Sequence, residues 1–336
     1  MDSKIDLPNS RELAQRKGQH IELAKSSQTA VSTVDTRFYY EPLFFNHQLP
    51  KTWPVTFLGT ALDFPLWISS MTGGTELAET INKNLSRLVG QYKLGMGLGS
   101  CRPLLESDDR LKDFNWRKNL GNQPFFANLG IAQVEELLDA GKISLVKEMV
   151  KKLEANGIII HINPLQEWFQ PEGDRFLKSP LETLQRFLEV FDYPVLVKEV
   201  GQGMGPRSLK ALLDLPIAGI EFGAFGGTNF SLLENLRSKS ESHKEEFIHV
   251  GHTAREMIEF MNALGDHQKE IIVSGGIKSS LDAYELLKLS KSRSLVGMAY
   301  AFLEPASQSY EALERFYLSL RDSMLTACGI LELRGE

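Results

Sequence analysis

The chain has 336 residues, 42% hydrophobic and 24% charged, with a formal net charge of −6. That is the composition of an ordinary globular protein able to bury a sizeable core, and it leaves no broad basic surface, so nucleic acid is not an expected partner. Two cysteines, Cys101 and Cys328, are too few for a disulfide framework; no apolar N-terminal run reads as a signal peptide and none is long enough to span a bilayer, so a cytoplasmic protein without a membrane partner is expected.

Residues 1 to about 60 carry no domain-sized core of their own and are expected to wrap the following domain or cap one end of it. From there short apolar runs alternate with amphipathic stretches. Residues 66–70 predict a buried strand and 78–92 a helix with Leu85, Leu88 and Val89 on one face. Strands follow at 94–98, 124–129, 157–162, 194–199, 218–222, 270–274 and 294–298. The intervening helices are expected at 134–156, 181–191, 207–213, 253–264 and 281–289, and a long helical region closes the chain over 305–331. The charged run 238–246 reads as a solvated loop. About eight strand–helix units with near-continuous apolar strands predict an α/β fold, a (β/α)₈ barrel over residues 61–336 with an N-terminal extension. An open doubly wound sheet would place its Gly-rich turn after the first strand, whereas here such turns follow several strands.

In such a barrel the active site sits at the C-terminal strand ends. The first strand ends in Ser69-Ser70-Met71-Thr72-Gly73-Gly74, where glycines allow close backbone approach and hydroxyls can donate; a plain turn is the bland alternative. Gly99-Ser100-Cys101-Arg102 places a planar fork of donors suited to phosphate, though a surface Arg after a turn fits the string equally well. Asn128 can both donate to and accept from a heteroaromatic edge. The string from His161 to Asp174 is the most polar. His161 and Asn163 share a face of their strand, Gln166 and Glu167 follow, and Glu167 suits Mg²⁺, which takes only one or two protein carboxylates; Glu172 and Asp174 also fit a turn. Lys198 ends an apolar strand and needs an anionic partner, such as a reduced flavin or a neighbouring carboxylate. Gly226-Gly227-Thr228, Ser274-Gly275-Gly276-Ile277 and Gly297-Met298-Ala299 end the late strands, a pattern suited to phosphate binding by backbone N–H groups. Arg16 and Lys17 read by periodicity as an exposed helix face.

Taken in order, Ser70-Met71-Thr72-Gly73-Gly74, His161-Ile162-Asn163 with Gln166-Glu167, Gln170-Pro171-Glu172-Gly173-Asp174, Val197-Lys198-Glu199-Val200-Gly201 and Ser274-Gly275-Gly276-Ile277 resemble the type 2 isopentenyl-diphosphate isomerases. The resemblance runs from about Arg16 to the last helix. It implies a (β/α)₈ barrel that binds FMN and Mg²⁺, with NADPH as reductant, assembled as a homo-tetramer or homo-octamer. It implies interconversion of isopentenyl diphosphate and dimethylallyl diphosphate. FMN is then expected to meet Ser70, Met71, Thr72, Ser100, Asn128, Lys198, Thr228, Gly275, Gly276, Ile277, Met298 and Ala299. The substrate is expected to meet Arg16, Lys17, Ser100, Arg102, His161 and Gln166; His161, Asn163 and Gln166 form the expected catalytic set and Glu167 holds the metal. Three strings depart from the family pattern. Cys101 stands where the family usually has Gln, Ile220-Glu221-Phe222 replaces an Asp-containing run, and His249-Val250-Gly251-His252-Thr253 replaces an aromatic-containing one. Two rival readings are a 2-hydroxy-acid oxidase-like FMN barrel, which needs a His base with paired Arg residues not visible near the late strands, and a flavin-binding homologue without catalysis.

Overall fold

A computed structural model describes residues 10–238 and 245–335. The chain divides into two compact units, Met1–Tyr40 with Glu332–Glu336, and Glu41–Leu331. In the first, a helix spans Ser10–Leu23, and Arg334 N donates to the Arg37 carbonyl at 2.9 Å, which ties the chain's last residues to this unit. Most of the charged run at 238–246 lies outside the described residues.

The second unit contains eight parallel strands: β1 (Leu66–Ile68), β2 (Gly95–Gly97), β3 (Phe125–Gly130), β4 (Gly157–Ile162), β5 (Val195–Glu199), β6 (Gly219–Glu221), β7 (Glu270–Ser274) and β8 (Ser294–Met298). They close in the order β7-β8-β1-β2-β3-β4-β5-β6, so the expected (β/α)₈ barrel is what the chain forms. Helices on the outside include α1 (Glu76–Gln91), α2 (Ile131–Asp139), α3 (Ile143–Lys152), α4 (Pro164–Phe169), α5 (Pro180–Val190), α6 (Pro206–Leu213), α7 (Phe230–Ser238), α8 (Ala254–Leu264), α9 (Ser280–Leu289), α10 (Tyr300–Gln308) and α11 (Tyr310–Ile330).

Side chains alternate along the strands, so the barrel supplies two cores. Ile68, Met96, Ala127, Ile158, Val197, Ile220, Val273 and Val296 face outward onto the helices. Trp67, Phe126, Ile159, Leu196, Ile272 and Leu295 meet inside the barrel. There Phe57 and Leu62 join them from a hairpin of Val55–Phe57 and Thr60–Leu62, and Leu58 N donates to the Glu270 carboxylate at 3.2 Å. The hairpin thus plugs the N-terminal end of the barrel. Gly95 leaves the room that Trp67 fills, since a Cβ there would lie 2.6 Å from the indole.

Local chemistry explains where the elements depart from periodicity. The helix expected over 134–156 is two helices, because Gly141 turns the chain at φ +66° between α2 and α3. The closing helical region breaks at Ser309, whose extended backbone stops α10 and whose side chain accepts from Ala312 N to cap α11. Helices α4 and α7 fall where no helix was expected; α4 starts at Pro164, whose fixed φ and missing N–H suit a first helical position. Among the described residues no helix is long and apolar enough to cross a membrane.

Candidate active site

One step of alternation above the apolar floor, the barrel interior becomes polar. The residues two positions beyond the floor are Ser69, Gly97, Asn128, His161, Lys198, Glu221, Ser274 and Gly297. They form a ring at the C-terminal ends of the strands, where barrel enzymes keep their chemistry. The register puts Gly130 beside His161, His161 beside Lys198 and Lys198 beside Glu221.

Hydrogen bonds fix much of this ring. Asn128 Nδ2 donates to Ser70 Oγ at 2.8 Å, which leaves Asn128 Oδ1 as the acceptor facing His161 Nδ1 at 2.7 Å. His161 therefore carries its hydrogen on Nδ1 and presents a lone pair at Nε2. Burial first, and then the Lys198 charge, push the imidazole down to about 3. Its folded value lies below the ordinary 6.5, so the unfolded chain takes up the proton first as pH falls. The stabilising contribution is complete above the ordinary value and is lost on acidification towards the folded one. His161→Gln is expected to flatten this acid limb by up to about 1.4 kcal/mol per pH unit, read from urea unfolding between about pH 7 and about pH 4. An unchanged limb would show that other groups set it.

Lys198 is buried, and its Nζ donates to the Glu199 carbonyl at 2.7 Å. The local ion pair that sequence allows between these neighbours does not form. The Glu199 carboxylate instead accepts from Gly201 N, Gln202 N and Gly203 N at 2.7, 2.6 and 2.9 Å and ties down the loop after β5.

A second cluster gathers on the first turn of α4. Asn163 Nδ2 donates to Gln166 Oε1 at 3.1 Å and to Glu167 Oε1 at 2.8 Å. Glu167 Oε2 accepts from Asp174 N at 2.7 Å. The Asp174 carboxylate accepts from Arg102 Nη1 at 3.3 Å and from Gln133 Nε2 at 2.8 Å. The turn between them needs Gly173, where a Cβ would fall 2.0 Å from the Glu167 carbonyl oxygen. Asp174, which the sequence leaves open between a site carboxylate and a turn residue, thus links the strand ends bearing Arg102 and Glu167. Gln133 was missed; its signal was a polar residue buried in the first turn of a helix that directly follows a strand.

The late strand ends also converge. Gly226 and Gly227 pack on Gly275 and Gly276, where a Cβ on Gly227 would lie 3.2 Å from Gly276 N. Ser69 N donates to the Met298 carbonyl at 3.0 Å, which sets Ser70 and Met71 beside Met298 and Ala299. Thr72 backs onto Gly99, whose Cβ would meet its carbonyl at 2.6 Å. Ser100, Arg102 and Thr228 are exposed at the rim, and Ile277 is half-buried. Arg16 and Lys17 stand exposed on the helix Ser10–Leu23 of the N-terminal unit.

The departures from the family pattern have plain positions. Cys101 is fully buried in the outer core and burial pushes its thiol up to about 12, so it faces the helices and stays protonated. The string from His249 to Thr253 braces the loops after β5 and β6, with His252 N donating to the Gln202 carbonyl and Phe225 N to the His252 carbonyl, each at 2.8 Å. Among the described residues no three His, Cys, Asp or Glu side chains cluster closely enough to hold a metal by themselves.

A closed parallel barrel with its polar residues gathered at the C-terminal strand ends defines a (β/α)₈ barrel enzyme. Solved structures share this architecture. A flavocytochrome b2 variant with sulfite bound aligns with a TM-score of 0.57 at 16% identity, covering 96% of this chain and 82% of that one. A mandelate oxidase variant with (S)-mandelic acid aligns with a TM-score of 0.56 at 14% identity, covering 88% and 87%. At such identities the likeness is one of fold. No family model matches the chain. In sequence it is 34% identical to the isopentenyl-diphosphate delta-isomerase of Pseudescherichia vulneris, over 94% of this chain and 92% of that protein. It is also 34% identical to the enzyme of the same name from Deinococcus radiodurans, over 91% and 90%. The chain belongs to the isopentenyl-diphosphate delta-isomerase family.

Proposed function

We propose that this chain interconverts isopentenyl diphosphate and dimethylallyl diphosphate with FMN and Mg²⁺ as cofactors and NADPH as the reductant of the flavin. The observation that carries the reading is the ring itself, a buried cation at Lys198 beside neutral Asn128 and His161, in a chain of this family. A buried ammonium bonded to one carbonyl fits an anionic ring edge above it. Bound in its reduced form, FMN would supply the acid–base group that moves the proton.

The chain's own residues bind and orient. Ser70, Met71, Thr72, Ser100, Asn128 and Thr228 offer hydroxyl, amide and backbone groups to the flavin, and Gly275, Gly276, Ile277, Met298 and Ala299 offer close backbone. Lys198 offsets charge at the flavin ring. Ser100, Arg102 and His161 meet the diphosphate. A diphosphate near Nε2 favours a proton there, which turns His161 into a second donor. Gln166 and Asn163 face the reacting end. Glu167 fits Mg²⁺, because each of its oxygens accepts one N–H and keeps a lone pair, and diphosphate oxygens and water complete such a site. Anchoring the diphosphate orients the alkene.

Proton NMR of isopentenyl diphosphate in D₂O with protein, FMN, NADPH and Mg²⁺ under anaerobic conditions tests the reading. Deuterated dimethylallyl diphosphate that depends on reduced flavin is the expected product. Its absence from a folded, FMN-loaded protein rejects isomerisation and directs attention to 2-hydroxy acids or a non-catalytic role. Glu167→Gln is expected to lower Mg²⁺-dependent turnover about 10- to 100-fold while FMN stays bound; an unaltered Mg²⁺ response would remove Glu167 from the metal. Two free cysteines, Cys101 and Cys328, fit a reducing, cytoplasmic setting. The homo-tetramer or homo-octamer of the resemblance is open to light scattering.

A further inference from the structure

The polar ring contains one residue that the flavin and diphosphate roles leave unused. Glu221 on β6 is 0% exposed, and neither of its carboxyl oxygens completes a hydrogen bond. It is the register partner of Lys198 on the adjacent strand, and alternation points both side chains into the barrel. The groups facing it are Lys198 from β5, the hydroxyl of Ser69 just after β1 and that of Ser274 from β7. The two hydroxyls partly offset the effect of burial, and Ser274 Oγ, which accepts from Gly223 N at 2.9 Å, keeps its O–H as a donor. Below lies only the apolar floor. His161, the next titratable member of the ring, stands on the far side of Lys198.

An ionised carboxylate so buried without a completed hydrogen bond is costly, so a group in this position holds its proton to higher pH than an exposed carboxylate does. Burial accordingly raises the Glu221 carboxyl above its ordinary range, against the pull of Lys198. With Glu221 neutral and His161 neutral, Lys198 is the ring's net charge. With Glu221 ionised, the ring is neutral and an anion above it loses its counter-charge.

We propose that Glu221 is a positioning residue of the flavin site, which in its protonated form leaves Lys198 an uncompensated cation beneath a reduced flavin and in its ionised form cancels that cation. The inference rests on the flavin reading above and adds a proton-controlled switch in flavin affinity to it. Glu221 acts through Lys198 and touches neither substrate nor the reacting carbons. Binding of the reduced, anionic flavin is then linked to uptake of one proton from solvent at Glu221 wherever the free protein carries that carboxylate ionised.

The test is the affinity of the full-length apoprotein for FMN, oxidised and anaerobically reduced, from about pH 6 to about pH 9. The wild type is expected to lose affinity for reduced FMN as pH rises, with little change for oxidised FMN. Glu221→Gln, a neutral isostere of the protonated acid, is expected to match the wild type at the acid end and to bind reduced FMN about tenfold more tightly than it at the alkaline end, one pH unit of linkage being tenfold. Infrared difference spectra of the wild type at the alkaline end provide a readout that needs no variant: addition of reduced FMN should produce a protonated-carboxyl band. Parallel pH profiles in wild type and Glu221→Gln, or no such band, overturn the role. A wild type that binds no FMN at any pH overturns the flavin reading itself, and this inference falls with it; a wild type that binds FMN with a profile unaltered by Glu221→Gln sinks the inference alone.

Discussion

Lys198→Met is expected to lower turnover of isopentenyl diphosphate on the order of 10²- to 10³-fold, the usual cost of deleting a preorganised electrostatic partner from a water-poor site. Methionine keeps the length and the apolar stem, so the floor beneath stays filled and the change is one of charge. Lys198 stands between His161 and Glu221 in the register, and it is the one cation of the polar ring. Its removal leaves no positive charge to oppose negative charge on the flavin. The measurement is kcat at saturating FMN together with the dissociation constant of reduced FMN. Loss in both places Lys198 at the flavin. Loss of kcat with intact flavin affinity moves its role to the substrate, and retention of both removes it from the site.

Trp67→Ala is expected to destabilise the protein by about 3–5 kcal/mol, as truncation of a large buried aromatic side chain does. Trp67 is fully buried in the barrel floor. Its ring centroid lies 5.2 Å from Phe57 of the plugging hairpin and 5.9 Å from Phe126 of β3. Glycine at position 95 shows how tightly the space is filled, and the neighbours are strand residues that cannot move far into a void. The urea midpoint should fall at unchanged m-value. A loss below about 1 kcal/mol would mean that the hairpin collapses into the cavity. Because Ser69 follows Trp67 by one alternation, directly after β1, the same variant is also expected to weaken FMN binding by loosening the ring above it.

Much of the barrel was legible because its signals are local. A buried parallel strand is a short apolar run, and 157–162 and 270–274 announce themselves without reference to any partner. Strand ends were legible for the same reason, since an apolar run that stops at Asn128, His161 or Lys198 shows where burial gives way to chemistry. Helix breaks were less so. The apolar spacing of 134–156 runs on through a turn that depends on the backbone freedom of Gly141, and Ser309 interrupts the last helical region by capping α11. Helix α7 presents Leu232, Leu233 and Leu236 to solvent, so the apolar face that reveals a helix was not the buried one.

The contacts within the site were legible only in part. The string from His161 to Glu167 is contiguous, and sequence spacing suffices to bring Asn163, Gln166 and Glu167 onto one helical turn. Asp174 was hidden because its partners Arg102 and Gln133 are 72 and 41 residues away. Glu221 appeared in sequence only as a departure from a familiar string.

The sequence by itself determined the class of fold, the family and the polar residues that end each strand, because these follow from hydrophobic period and from short ordered motifs. The tertiary structure decided which of those residues face one another. Barrel closure sets the strand register that makes Lys198 and Glu221 neighbours and brings β4 beside β3, where His161 hydrogen-bonds Asn128, while apolar packing seats the Val55–Leu62 hairpin against Trp67. The physical reason is that the facing residues of the ring lie on different strands, with a helix and its loops between them in the chain, while burial, which sets the charge of His161 and Glu221, belongs to the closed barrel and to no single segment.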